Sequence, residues 1–106
     1  MNDTIEEQRK KRLQFMQAAY KLAEQNTMTP ISSVQIGATL GFDPPESLNI
    51  ARYLAGEGLL KGIANGVYVV THQGFVEIEK ALSKPDTPTE HFPPAMNVIV
   101  DFSPRA

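Results

Sequence analysis

The change of hydrophobic period at Gly56-Glu57-Gly58 constrains the fold of this chain more than any other feature of its sequence. Before this point, apolar residues recur at steps of three and four, which is typical of helices with one buried face. After it, two β-prone segments, residues 59–64 and 67–71, flank Asn65-Gly66. Asn-Gly favours the two-residue turn of a β-hairpin. The sequence therefore predicts helices followed by a hairpin, in a mainly α fold with a small β component (α+β).

A two-residue loop at Asn65-Gly66 also predicts which hairpin residues lie opposite one another. It places Ile63 opposite Tyr68 and Lys61 opposite Val70. Both faces of this ribbon carry apolar residues, so the pattern leaves open which face is buried. A slip of one residue would exchange the two faces.

Three helices are predicted before the hairpin and one after it. The first covers residues 3–26, and the second is short, with Ser32 as its N-cap. The third covers residues 44–56, where Asp43 is the N-cap and the prolines are tolerated in the first turn. The fourth begins after Thr71, its N-cap. The residues expected to face the core are Leu13, Met16, Tyr20 and Ala23 of the first helix, Ile50, Ala51, Leu54 and Ala55 of the third, and Phe75, Ile78 and Leu82 of the fourth, whereas Glu77, Glu79 and Lys80 are expected to face water. The apolar residues of the second helix are Val34, Ile36, Ala38 and Leu40.

The composition changes after Ser83, because five of the chain's eight prolines lie beyond it. Proline disfavours helix, so we expect a folded domain at residues 1–83 and an extended tail at residues 84–106. One part of this tail, residues 97–102, is β-branched and suited to adding as a strand to a sheet edge.

The composition excludes several classes of protein. A chain of 106 residues, 42% of them hydrophobic, supports one domain with one core. It contains no cysteine, which excludes disulfides, thiolate metal sites and cysteine nucleophiles. No apolar run approaches the ~20 residues that cross a bilayer, and the charged N-terminus lacks the apolar region of a signal peptide. We therefore expect a cytoplasmic protein that does not enter membranes.

No catalytic or cofactor site is apparent in the sequence. His72 and His91 lie in different contexts, neither has a partner at metal-ligand spacing, and both are expected at the surface or in caps. Gly56-Glu57-Gly58 follows a helix, whereas a phosphate-binding glycine loop precedes one. We expect no metal, no cofactor and no enzymatic activity.

Residues 31–60, the hairpin at Asn65-Gly66 and the run Val70-Thr71-His72-Gln73-Gly74 together resemble the winged-helix DNA-binding domains of prokaryotic transcriptional regulators. The resemblance covers about residues 10–82. It implies a winged helix-turn-helix in which residues 44–56 form the recognition helix and residues 59–71 form the wing. It also implies a transcriptional regulator that binds duplex DNA.

The third helix is expected to expose Asn49, Arg52, Tyr53 and Gly56 on the face that the core does not use. Arg52 is suited to pairing with guanine and Asn49 with adenine. Phosphate contacts would come from Tyr53 and Ser47. Contacts from the wing to a neighbouring groove or to the backbone would come from Lys61 and Asn65. The DNA-binding candidates are Ser47, Asn49, Arg52, Tyr53, Lys61 and Asn65.

Charge weighs against DNA binding, because phosphate neutralisation supplies most non-specific affinity. Between residues 44 and 72 the two cations are balanced by two carboxylates, and the whole chain has a net charge of −2. The basic cluster Arg9-Lys10-Lys11-Arg12 is interpreted as a solvated helix face that Glu6 and Glu7 nearly neutralise. A homodimer through the first helix and residues 97–102 would strengthen binding by joining two half-sites.

Two further hypotheses stay open. The chain is a winged-helix protein–protein interaction module without DNA binding, or it is the amino-terminal part of a longer protein. Fold alone does not decide among these functions.

Overall fold

The computed structural model describes residues 4–23 and 26–98, which form a mainly helical fold with a small antiparallel sheet. The α+β fold class is therefore confirmed. The elements are α1 (Ile5–Ala23), β1 (Ile31–Ser32), α2 (Ser33–Thr39), α3 (Pro44–Gly56), β2 (Leu60–Ala64), β3 (Val67–Val70), α4 (His72–Ser83) and a 3-10 helix at Ala95–Asn97. None of the helices in these two ranges is long and apolar enough to cross a bilayer.

The predicted N-caps are confirmed for three helices. Ser32, Asp43 and Thr71 each accept a hydrogen bond from the backbone N–H three residues further on, at 3.3, 2.9 and 2.9 Å. A cap of this kind stabilises a helix by about 1 kcal/mol. Because these signals are local, the bounds of α3 agree with the prediction at both ends.

Of the four apolar residues that the sequence assigns to the second helix, one is fully buried. Ile36 is buried, but Val34 and Ala38 are exposed and Leu40 is half-buried. Residues two apart are separated by about 200° around a helix, so an alternating set cannot share one face. Ser33 and Gly37 are buried instead and let α2 approach α3.

The sheet has the order β1-β3-β2, with both pairs of strands antiparallel. No sequence pattern indicated β1, whose Ile31 lies opposite Tyr68. The predicted hairpin register is also wrong, because the ladder is irregular between Gly62 and Ala64. This bulge leaves Ile63 half-exposed and places Gly62, not Ile63, opposite Tyr68, and Lys61 opposite Val69, not Val70.

One core joins all the helices to β3. Its largest fully buried side chains are Tyr20, Phe15, Phe92, Leu13, Met16, Ile36, Leu54, Leu59, Ile78, Leu82 and Val70. Two glycines permit the closest approaches. A Cβ at Gly37 would lie 1.6 Å from Ser47 Oγ, and a Cβ at Gly74 would lie 2.2 Å from the Leu59 carbonyl oxygen.

The segment after α4 packs on the domain and does not extend away from it. Phe92 and Ala95 are fully buried, and the Met96 N–H donates to the Pro85 carbonyl oxygen at 2.9 Å. Residues 84–94 contain no helix, and Phe92 in this segment completes the core. Asn97, the first residue of the expected strand, ends the 3-10 helix, and residues 99–102 lie outside the described residues.

Candidate nucleic-acid interface

The predicted orientation of α3 is confirmed. Ile50 and Leu54 are buried on one side, and Asn49 and Arg52 are exposed on the other. Tyr53 is 39% exposed at the edge of the exposed side. We call Asn49, Arg52 and Gly56 the exposed face of α3. The side chains of Asn49 and Arg52 have no hydrogen-bond or ion-pair partner among residues 4–23 and 26–98.

Ser47 does not belong to this face. It is fully buried, and its hydroxyl donates to the Asp43 carbonyl oxygen at 2.9 Å. It lies three and seven residues before Ile50 and Leu54, which places it on the buried side of the same helix. The expected phosphate contact from Ser47 is therefore wrong, because this side chain mediates the close approach of α2.

The turn of the hairpin is held against α2 and α3 and does not protrude as a wing. The backbone N–H and the hydroxyl of Ser33 both donate to the Gly66 carbonyl oxygen, at 3.0 and 2.9 Å. A Cβ at Gly66 would lie 3.9 Å from Leu48 Cδ2, so the turn packs on α3. Asn65 is exposed in this turn and precedes Gly66, which packs against Leu48 of α3.

Lys61 occupies a different surface. It is exposed on the sheet face that also carries Ile63 and Val69, in a cleft of about 330 Å³ that Met28 helps to line. The structure therefore groups Lys61 with apolar side chains and not with the exposed face of α3.

Three cations of the basic cluster contact other elements. Arg9 donates to the carbonyl oxygens of Thr89 and Glu90, at 3.2 and 3.3 Å. Lys11 forms an ion pair with a carboxylate of α3, and the guanidinium of Arg12 lies over an aromatic ring of α3. The interpretation of this cluster as a solvated face balanced by its own helix is therefore wrong. No sequence pattern indicated these contacts, because they join residues at least 35 positions apart.

Both carboxylates close to the exposed face of α3 have cationic or histidine partners. Glu46, in the first turn of α3, pairs with Lys11, and Glu57, which caps its end, lies 3.2 Å from His91 Nε2. The count of two cations against two carboxylates therefore understates the positive potential of this surface, because Lys11 of α1 offsets the charge of Glu46.

His91 and Glu77 are buried, contrary to the expected surface positions. Their side chains are 7% and 9% exposed, and His91 Nδ1 lies 3.2 Å from Glu77 Oε2. Glu77 also accepts a hydrogen bond from Lys80 at 3.2 Å. His72, at the start of α4, is exposed as expected. No group of three His, Cys, Asp or Glu side chains in the described ranges is arranged to hold a metal ion.

Comparison with protein-family models, with curated proteins and with solved structures found no match for this chain. Its function is therefore inferred from the exposed side chains and their surroundings. Among the described residues, the exposed face of α3 presents Asn49 and Arg52 without partners, with Tyr53 at one edge and the Asn65-Gly66 turn beside Leu48.

Proposed function

We propose that this chain is a winged-helix domain that binds duplex DNA through α3 and acts in the cytoplasm as a transcriptional regulator of a prokaryote. The element order and the sheet order β1-β3-β2 support the winged-helix assignment, since α2 and α3 precede a hairpin that leads into α4. In this proposal α3 is the recognition helix and β2–β3 is a short wing.

The observation that carries the proposal is the exposed face of α3. Asn49 and Arg52 present an amide and a guanidinium without partners in the described part of the chain. These two side chains form the bidentate hydrogen bonds that distinguish adenine and guanine in the major groove. A helix with its side chains is about 10–12 Å across, which matches a groove about 12 Å wide.

The short hairpin changes how the domain would lie on DNA. Its turn is bonded to Ser33 and packs beside Leu48, so it does not reach beyond the body of the domain. Asn65 would contact the backbone at the edge of the groove that α3 occupies. Lys61, on the other sheet face, would not contact the duplex directly and would attract its phosphates through charge at longer range.

Direct binding measurements test this proposal. We expect the chain to bind a mixed-sequence duplex at ~20 mM salt and to lose affinity steeply as salt rises. Arg52→Ala should weaken binding by about 1–3 kcal/mol. Lys84→Ala, which removes one charge from an exposed position at the end of α4, is the matched control. Absence of binding at low salt would overturn the proposal.

A homodimer is part of the proposal, because two copies would present two α3 faces to one duplex and would bind jointly. The interface is expected to include α1 and residues 97–102, whose β-prone sequence is suited to pairing with another chain. Measurement of molecular mass in solution at tens of micromolar tests it. A strict monomer that binds duplex DNA would overturn the proposed dimer and leave the proposed DNA binding intact.

A protein–protein interaction module is the second candidate. The cleft beside Met28 and Ile63 favours it, because these side chains are 78% and 50% exposed and lie on one apolar surface. Such patches are typical of protein contacts. Ile63→Asp should abolish partner binding in this case, and it should leave duplex binding intact if α3 is the functional surface.

A further inference from the structure

Arg12 is held flat at the edge of the exposed face of α3. Its guanidinium carbon lies 3.5 Å from the centroid of the Tyr53 ring. A guanidinium stacks well on an aromatic ring because it is planar and weakly hydrated. The stacking leaves the edge of the guanidinium, with its N–H donors, available for other partners.

The hydrogen-bonding groups of Arg12 are unsatisfied. Its Nε is buried and has no hydrogen-bond partner. No hydrogen bond or ion pair joins Arg12 to any residue in the described ranges. Its two terminal nitrogens also lack a hydrogen-bond partner there but, unlike Nε, they are not buried. These two nitrogens therefore reach solvent. Arg9 and Lys11, by contrast, have a backbone and a carboxylate partner.

The position of Arg12 is fixed by α3 itself. Tyr53 lies at the edge of the exposed face of α3, so the guanidinium stacked on its ring lies at the same edge. The phosphates of a duplex border the groove that a recognition helix occupies, and contacts to them set the register of the protein. An arginine with free N–H groups pairs with phosphate oxygens in bidentate geometry.

We infer that Arg12, presented by the Tyr53 ring, binds a backbone phosphate of the duplex whose major groove receives α3. This inference rests on the proposed function and adds a contact from α1 that the sequence did not indicate. Tyr53 acts here as a positioning residue, since its ring orients the guanidinium.

The first test uses a fluorescein-labelled 20-base-pair duplex of mixed sequence. We expect Arg12→Gln to weaken binding roughly three- to tenfold, to the same extent for different sequences, and to make the slope of log affinity against log salt about 0.9 less steep. Lys84→Gln removes the same charge at the end of α4 and should change neither quantity. Circular dichroism and thermal unfolding confirm that each variant is folded.

The second test measures whether the ring acts through Arg12. Tyr53→Leu should cost as much affinity as Arg12→Gln, and the double variant should cost no more than either single change. Tyr53→Phe keeps the ring and should lose less. Additive losses would overturn the positioning role.

The outcomes separate this inference from the proposed function. If Arg52→Ala weakens binding while Arg12→Gln leaves both affinity and salt slope unchanged, the Arg12 contact is wrong and α3 remains the DNA-binding surface. If the unaltered chain binds no duplex at ~20 mM salt, the proposed function and the Arg12 contact are both overturned.

Discussion

The Nδ1 atom of His91 lies 3.2 Å from the Oε2 atom of Glu77, between the segment after α4 and α4 itself. The other ring nitrogen, Nε2, lies 3.2 Å from Oε1 of Glu57, which caps the end of α3. An imidazole donates from both nitrogens when each carries a proton. His91 thus joins three parts of the chain through two carboxylates, one buried and one 42% exposed.

The Glu77 pair predicts acid sensitivity. Burial by itself raises the pKa of Glu77, but the hydrogen bonds from His91 and Lys80 and their charges outweigh it, and the pKa lies below 4.5. A carboxyl with a lower pKa in the folded state stabilises the fold above its unfolded pKa, and this stabilisation is lost as the pH falls through the folded pKa. We expect the free energy of unfolding in urea to decrease as the pH falls below about 4.5.

Glu77→Gln is the control for this prediction. The variant cannot ionise at this position, so it should be less stable than the unaltered chain at pH 7, and the difference should shrink as the pH falls below about 4.5. A difference in unfolding free energy that stays constant from neutral pH down to acid would contradict the role of Glu77.

Replacing His91 should lower the free energy of unfolding more than replacing its exposed partner, Glu57. His91→Ala leaves the buried Glu77 carboxylate with Lys80 as its remaining hydrogen-bond partner, and we expect a loss of about 2–3 kcal/mol of unfolding free energy. Glu57→Gln removes a contact at a half-exposed carboxylate and should cost about 0–1 kcal/mol. Urea denaturation at pH 7 measures both, and equal losses would contradict this ranking.

Phe92 makes the segment after α4 part of the core. Its side chain is fully buried, so Phe92→Ala should lower the unfolding free energy by about 3–5 kcal/mol. Met96→Ala, four residues later at a side chain that is 55% exposed, should stay within about 0.5 kcal/mol. Thermal unfolding that shifts equally in both variants would place Phe92 outside the core.

Local signals predicted the helices and the exposed side of α3. Asp43 and the two prolines after it define where α3 begins, because capping depends on neighbours within one turn. The same spacing rule identified Asn49 and Arg52 as exposed. Signals of this kind need no knowledge of the rest of the chain.

Contacts between distant parts of the chain could not be predicted in this way. The stacking of Arg12 on Tyr53 and the burial of His91 depend on which elements meet, and a single sequence gives no signal for that. The bulge at Ile63 also depends on a packing contact that the sequence pattern does not show. An Asn-Gly turn sets the loop length, but the packing of Tyr68 over Gly62 sets the register.

Gly37 should tolerate no side chain. A Cβ there would lie 1.6 Å from Ser47 Oγ and 2.5 Å from Ser47 Cβ, so Gly37→Ala should cost at least about 2 kcal/mol by forcing α2 away from α3. Ser47→Gly in the same chain should recover part of this loss. Gly56→Ala meets nothing within 4 Å and should be neutral or stabilising by up to about 1 kcal/mol, as measured by urea denaturation.

Lys11 should support duplex binding by neutralising Glu46. The two side chains form an ion pair beside the first turn of α3, each about a quarter exposed, so Lys11→Gln leaves a carboxylate facing the approaching phosphates. We expect a loss of roughly two- to fivefold in affinity at ~0.1 M salt, measured by fluorescence anisotropy. Glu46→Gln should raise affinity, and the double variant should return close to the unaltered chain. If Glu46→Gln instead weakens binding in a folded protein, this carboxylate contacts the DNA or its bound cations, and its neutralisation by Lys11 is not what supports binding.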